Sequence, residues 1–104
     1  MEDVRFFVYR LHPARPEILS VGPTPEEAAV ISEHFNYLKR LFEHGVVLHV
    51  GRTLTTHAGT WGLVVLRADS EDAARAIMEN DPGVRHGVHR AELFPYRLVL
   101  GAPT

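Results

Sequence analysis

Apolar residues fall along the chain in short blocks with two different spacings. In Val4 to Leu11 they occupy both alternating faces and include many β-branched and aromatic side chains, which predicts a central strand covered on both sides. Trp61 to Arg67 has the same two-faced pattern and predicts a second central strand. Val46 to Arg52 predicts another strand, and Val88 to Leu100 predicts a last strand followed by a tail.

A long helix is predicted between the first two strands. Thr24, Pro25 and Glu27 form the start signal, because a threonine cap and a glutamate three residues later make a capping box. Gly45 is the predicted stop. Apolar residues between them recur at helical spacing and predict one buried stripe, made of Ala28, Ile31, Phe35, Leu38 and Phe42.

A second helix is predicted after the third strand. Asp69 or Ser70 is its cap, and it stops at Asp81 and Pro82. Proline disfavours helical dihedral angles in the residue before it, so we expect Asp81 to leave the end of this helix. Its apolar positions are Ala73, Ala74, Ile77 and Met78.

The elements follow the order βαββαβ, which predicts a single α+β domain over residues 1–104 with a ferredoxin-like, four-stranded antiparallel sheet. In this order the first and third strands are central, and these two are apolar on both faces. Two helices cover only one face of such a sheet. We therefore expect a homodimer in which the sheets of two copies pack face to face.

Composition narrows the choice of partners. The 104 residues carry 11 basic and 13 acidic side chains, a near balance that gives no basic surface for nucleic acid or an anionic membrane. No apolar run approaches the roughly 20 residues that a membrane span needs. The acidic start MEDVRFFVYR does not fit a signal peptide, and cysteine is absent, so we expect a cytoplasmic protein without disulfides.

His34 and Asp81 are the candidate catalytic residues. His34 lies at the edge of the apolar stripe in the first helix, where an imidazole is either a half-buried structural group or a general base. A base of this kind needs a carboxylate to orient it. In this fold the two helices lie side by side, which makes Asp81 a candidate partner of His34. An Asp-Pro pair after a helix is also a common helix stop signal with no further role.

Other residues give weaker indications. Tyr37, Arg52 and His49 are candidates for substrate binding, although each also fits ordinary amphipathic cover. Ser70 is separated from Asp81 by roughly 16 Å of helix, and Ser32 faces away from His34, so no Ser-His-Asp triad is expected. The remaining histidines, such as His57 in the polar loop Thr53 to Thr60 and the pair His86 and His89, show no metal spacing, and we expect neither a metal nor a cofactor.

Three segments, in order, resemble the YCII-related (YciI-like) family of small bacterial proteins: EHFNYLKRLFEHGVVLHVGR, SEDAARAIMENDPGV and HRAELFPYRL. The resemblance covers nearly the whole chain. Its most specific parts are His34 with Gly45, Asp81-Pro82 with Gly87-Val88, and Pro95.

The resemblance implies a dimeric α+β barrel fold and a proposed active-site pair, which would be His34 and Asp81 here. Many family members have Gly-Pro after the second strand, whereas this chain has Gly51 and Arg52. A guanidinium at that position would hold an anionic group, so the substrate range of this chain is expected to differ.

Two functions fit the sequence, and two others known for this fold class fit it poorly. The first is a small cofactor-independent enzyme in which His34 moves a proton, Asp81 orients it, and Arg52 or Tyr37 steadies the developing oxyanion. The second is a non-catalytic dimer that binds a small molecule or a protein. RNA binding lacks both the aromatic pattern on the third strand and the basic charge. For an oxygenase or haem-linked role, no further haem ligand stands out.

Overall fold

The computed structural model describes residues 5–55 and 59–101 of the chain. Val4, at the start of the first predicted strand, and His57, in the predicted loop, lie outside the described residues. The elements, in order, are strand β1 (Phe6–Pro13), helix α1 (Glu17–Ser20), helix α2 (Pro25–Glu43), strands β2 (Val47–Arg52) and β3 (Gly62–Arg67), helices α3 (Glu71–Asn80) and α4 (Pro82–Arg85), and strand β4 (His89–Tyr96).

The strands form one antiparallel sheet in the order β2-β3-β1-β4. The predicted α+β class, the ferredoxin-like topology and the central position of β1 and β3 are therefore confirmed. The structure adds two helices of a single turn each, α1 and α4, to the predicted elements.

The hydrophobic core lies between one face of the sheet and the helices α2 and α3. Cross-strand neighbours share a face, so Tyr9, its partner Val64 on β3 and its partner Leu93 on β4 all point toward the helices. The buried members of the core are Phe7, Tyr9, Leu11, Leu38, Val47, Val64, Leu66, Ala74 and Met78.

The caps predicted for the long helices are present. The Thr24 hydroxyl accepts from the Glu27 backbone N–H at 3.1 Å, and the Glu27 carboxylate accepts from the Thr24 backbone N–H at 2.8 Å. At the start of α3, Ser70 rather than Asp69 is the cap, with its hydroxyl accepting from the Ala73 N–H at 3.1 Å. Orphan donors at both helix starts are thereby satisfied.

The buried stripe predicted for α2 is partly wrong. Leu38 is buried, but Phe35 and Phe42 are 64% and 58% exposed, and Ala28 is exposed as well. The helix is turned toward a neighbouring face, so that Ile31, His34, Tyr37 and Leu41 flank Leu38. Both faces are apolar at helical spacing, and only the position of the sheet selects one of them.

Within the described residues, no helix has the length and hydropathy to cross a bilayer.

Candidate functional site

Asp81 joins two helices. It is the C-cap of α3 and the N-cap of α4, and its backbone is extended (φ −61°, ψ 122°). The following Pro82 disfavours helical dihedral angles at this position, and the chain turns between the two helices. The Asp81 carboxylate accepts from the Gly83 backbone N–H at 3.0 Å and caps the new turn.

The Asp81 side chain is fully buried and accepts two further hydrogen bonds. Its Oδ1 atom lies 2.6 Å from Nδ1 of His34 on α2, and its Oδ2 atom accepts from the Tyr9 hydroxyl on β1 at 2.7 Å. A buried carboxylate is costly unless donors surround it, and here three donors from three elements converge on it. The structure thus brings the two predicted site residues into direct contact.

The contact with Asp81 fixes which nitrogen of the His34 ring carries the proton. Both Asp81 oxygens already receive donors, so the carboxylate acts as an acceptor and the Nδ1 atom of His34 carries a proton toward it. The other ring nitrogen, Nε2, then carries the lone pair that can accept a proton. The His34 side chain is 14% exposed and forms part of a cavity wall. Such a histidine, oriented by a carboxylate, is the arrangement of a general base.

Tyr9 donates a hydrogen bond to the Asp81 carboxylate from the sheet. Burial, reinforced by the nearby charge of Asp81 and the hydrogen bond to it, raises the pKa of Tyr9 far above its ordinary value. The phenol therefore stays protonated and remains a donor to Asp81. Tyr9 was missed as a site residue, although a tyrosine in a central strand signals a hydroxyl that needs a buried partner.

A second imidazole lies beside the pair. His89, the first residue of β4, has its ring centroid 4.8 Å from that of His34, with the two planes tilted by 48°. Burial, followed by the neighbouring His34, lowers the pKa of His89, while Asp81 acts in the opposite direction. Nothing in the sequence near His89 indicated this position, because the contact joins residues that are far apart along the chain.

His34 and His89 border a cavity of about 420 Å³ between α1, α2 and the β2 and β3 strand ends. Its wall is largely aliphatic, with one aromatic ring and a few polar groups, which is the usual make-up of a small-molecule site. The residues that line it are Leu11, Pro13, Ile18, Leu19, Ile31, His34, Val50, Gly51, Arg52, Thr60, Trp61, Gly62 and His89.

Arg52 brings a positive charge to the wall of this cavity. It ends β2 opposite Gly62, on the helix side of the sheet. Its Nη1 atom donates a long bond of 3.5 Å to the Thr53 carbonyl, and within residues 5–55 and 59–101 no carboxylate forms an ion pair with it. A guanidinium in this state can bind an anionic oxygen of a ligand.

Tyr37 and His49, the other predicted binding residues, are not brought to this cavity. The Tyr37 hydroxyl donates to the Ile77 carbonyl at 2.7 Å and ties α2 to α3; burial and then Asp81 raise the pKa of Tyr37 to about 12. His49 pairs with Val65 on the opposite face of the sheet, because a register shift between Val47 and His49 turns it away from the helices. It borders an adjoining cavity of about 250 Å³, which shares Gly51, Arg52 and Trp61 with the first.

Gly83 provides the space in which the two histidines meet. A Cβ atom at this position would overlap Nδ1 of His89 and lie 3.1 Å from Nδ1 of His34. The backbone of α4 therefore packs directly against both rings. In the described part of the chain, no group of three His, Cys, Asp or Glu side chains is arranged to hold a metal ion.

Comparison with solved structures gives the same fold. The 5-chloro-2-hydroxyhydroquinone dehydrochlorinase from Burkholderia phenoliruptrix AC1100, in complex with 2,5-dihydroxybenzoquinone, aligns with a TM-score of 0.66 and 22% sequence identity. The alignment covers 88% of this chain and 93% of that one. No curated protein sequence matches the chain. The YCII-related domain matches residues 6–97, nearly the whole length, and the chain belongs to the YCII-related family.

Proposed function

We propose that the chain is a small enzyme that uses the His34–Asp81 pair to move a proton on a small organic substrate. The observation that carries this proposal is the 2.6 Å contact between His34 Nδ1 and a fully buried Asp81 carboxylate. The contact leaves Nε2 of a cavity-lining histidine as the proton acceptor. Side-chain acid-base chemistry of this kind requires no cofactor.

The lining of the cavity supports a compact, mainly apolar substrate with one anionic or strongly polar oxygen. Ile18, Leu19 and Trp61 supply apolar surface, and Arg52 supplies the cation. The reaction begins when a substrate C–H or O–H gives its proton to Nε2 of His34 and its electron pair stays on the substrate. Arg52 then stabilises the negative charge on the substrate oxygen.

The structural neighbour suggests the first compound to test. Its name, 5-chloro-2-hydroxyhydroquinone dehydrochlorinase, describes the removal of hydrogen chloride from a chlorinated hydroxyhydroquinone. We propose small phenols and other enolisable compounds as the substrate class of this chain, with chloride loss as one form of the reaction.

Two assays test the proposal. Chloride release and quinone absorbance are followed with 5-chloro-2-hydroxyhydroquinone, and proton exchange into deuterated solvent is followed by NMR for a set of small phenols and enolisable acids. For any compound that turns over, His34→Ala is expected to lower kcat by about 10²- to 10⁴-fold. His86→Ala is the matched control, since His86 is an exposed histidine outside the cavity. Unchanged turnover in a folded His34→Ala variant would contradict the role of His34.

The alternative is a non-catalytic dimer that binds a small molecule, with the pair as a buried polar link. The convergence of α2, α4 and β1 on Asp81 supports it, because such a junction also stabilises a fold. In that case His34→Asn lowers stability, ligand affinity stays unchanged, and no compound in the set is converted.

A further inference from the structure

His89 shares the cavity with His34, but the proposed proton transfer does not use it. One side of its ring is sealed: its Nδ1 atom is buried and has no hydrogen-bond partner in residues 5–55 and 59–101. The Gly83 backbone covers this side so closely that no Cβ atom would fit between them. A surface histidine would not be held in this way.

The sealed nitrogen fixes the tautomer of the ring. A proton on Nδ1 would be a buried N–H donor without an acceptor, which is rare and costly, whereas a buried lone pair is tolerated somewhat better. The proton of neutral His89 therefore belongs on Nε2. The described residues offer that atom no hydrogen-bond partner, and it is not among the buried unpartnered atoms, so it reaches the cavity that His89 lines.

The charge state follows from the same geometry. A doubly protonated ring would need an acceptor at the sealed Nδ1 atom, and it would lie 4.8 Å from the His34 ring. Burial and His34 lower the pKa of His89, in agreement with a neutral ring at physiological pH. The two imidazoles thus have opposite hydrogen-bonding roles at the cavity: Nε2 of His34 is an acceptor, and Nε2–H of His89 is a donor.

We propose that His89 is a second functional residue of the site, a neutral hydrogen-bond donor whose Nε2–H binds the substrate oxygen on which negative charge develops. This inference rests on the proposed function. His34 Nε2 takes the proton, the electron pair moves onto the oxygen, and His89 stabilises it without giving up its own proton. The substrate class is thereby narrowed to compounds in which loss of the proton leaves the negative charge on an oxygen, as in phenols and enolisable carbonyl compounds.

The first test needs no substrate. Long-range ¹H–¹⁵N NMR of the wild-type protein, with the His89 signals assigned by comparison with His89→Gln, reports the proton position and charge of each ring. A neutral His89 with its proton on Nε2 is expected at neutral pH. A proton on Nδ1 of His89, or a charged His89 ring, would overturn the inference. The His34 signals are read separately, and a His34 ring without a proton on Nδ1 counts against the proposed function instead.

The second test uses 4-nitrophenolate as a probe for an oxyanion, at a mildly alkaline pH where the probe is ionised. His89→Phe keeps a ring but removes the donor, and we expect it to weaken binding by about 10- to 100-fold. His89→Gln places an amide N–H near the former Nε2 and is expected to retain most of the affinity. His86→Phe, at an exposed site, is the control and should bind like the wild type.

Thermal unfolding separates this role from a structural one. His89→Phe loses no hydrogen bond at Nδ1, and its larger ring crowds the Gly83 backbone, so a lower Tm of this variant is a packing effect. The 4-nitrophenolate affinities are therefore compared at a temperature at which every variant is folded. Equal 4-nitrophenolate affinities in the wild type, His89→Gln and His89→Phe, or no binding by the wild type at millimolar probe, would overturn the inference. In each of those outcomes the role of His34 is still decided by its own turnover assay.

Discussion

Nδ1 of His34 lies 2.6 Å from Oδ1 of Asp81, although 47 positions separate the two residues along the chain. The geometry depends on Pro82, which ends α3 and turns the Asp81 side chain toward α2. The same carboxylate caps α4 through the Gly83 N–H, so its position is fixed from both sides of the junction. A base held by a pre-oriented carboxylate loses little freedom when a substrate binds.

Asp81→Asn is expected to lower both activity and stability. An amide cannot accept from His34 Nδ1, Tyr9 and Gly83 at once, so at least one buried donor or acceptor loses its partner. The free energy of unfolding should fall by about 1–3 kcal/mol, and kcat on a confirmed substrate by up to about 10⁴-fold, because the His34 tautomer is no longer fixed. Urea unfolding and steady-state kinetics measure the two effects. Wild-type kcat in Asp81→Asn would contradict the orienting role.

Tyr9→Phe tests whether the buried carboxylate needs its third donor. The phenyl ring keeps the core volume, but Oδ2 of Asp81 loses the bond from the hydroxyl. We expect the free energy of unfolding to fall by about 1–3 kcal/mol, measured by urea unfolding. Tyr96→Phe, which alters a phenol that is 42% exposed, is the matched control and should change it by less than about 0.5 kcal/mol. Equal effects of the two substitutions would contradict the prediction.

The sequence was sufficient for the topology because its signals are local, whereas the pair was predicted from the order of the elements and, above all, from the resemblance to the YCII-related family. The capping residues, the two-faced strands and Pro82 each have a local physical cause. Tyr9 and His89 escaped prediction because their contacts with Asp81 and His34 depend on where β1 and β4 lie beneath the α3–α4 junction.

Two further differences have specific causes. His49 was expected near a binding site, but a register shift in β2 turns its side chain to the opposite face of the sheet, and strand alternation alone does not reveal a shift of this kind. Phe35 and Phe42 were expected in the core because they repeat at helical spacing. Packing selects the adjacent face of α2, which carries His34 and Leu41.

Gly83→Ala should disturb both histidines. The added Cβ atom would overlap the His89 ring and crowd His34, so the ring of His89 must move into the cavity. Alanine in a helix normally stabilises relative to glycine by roughly 0.5–1 kcal/mol, whereas here overpacking should lower the free energy of unfolding by about 1–3 kcal/mol. Urea unfolding gives the sign, and Arg85→Ala in the same helix is the control. A stabilised Gly83→Ala variant would show that the rings are not packed against α4.

The stability of the fold should respond to acid through His89. Burial, and then His34 on α2, lower its pKa from the ordinary value of 6.5, while Asp81 at the α3–α4 junction raises it. The unfolded chain therefore takes up a proton near that value before the folded chain does, so stability is present above about pH 6.5 and is lost as the pH falls toward the folded pKa.

His89→Phe removes this proton uptake. Its Tm should fall less steeply than that of the wild type on acidification below about pH 6.5, as measured by thermal unfolding over a pH series. His86→Phe alters an exposed histidine and should keep the wild-type slope. Identical slopes in the wild type and His89→Phe would show that His89 does not govern this response.

The homodimer remains a prediction, and the uncovered face of the sheet offers a direct test of it. This face carries the partly exposed Val8 and Leu63 on the central strands and Phe94 on β4, which is 42% exposed. A face-to-face dimer would bury these side chains, so the wild type should have twice the chain mass by light scattering at micromolar concentration.

Phe94→Asp introduces a charge into that face and should give a monomer with an unchanged circular dichroism spectrum, because the side chain lies outside the core of the single chain. Phe35→Asp, on the helix side and 64% exposed, is the matched control and should remain dimeric. A monomeric wild type would refute the dimer. Dissociation by Phe35→Asp but not by Phe94→Asp would move the interface to the helix side, where Phe35, Phe42 and Val50 border a cleft next to His34.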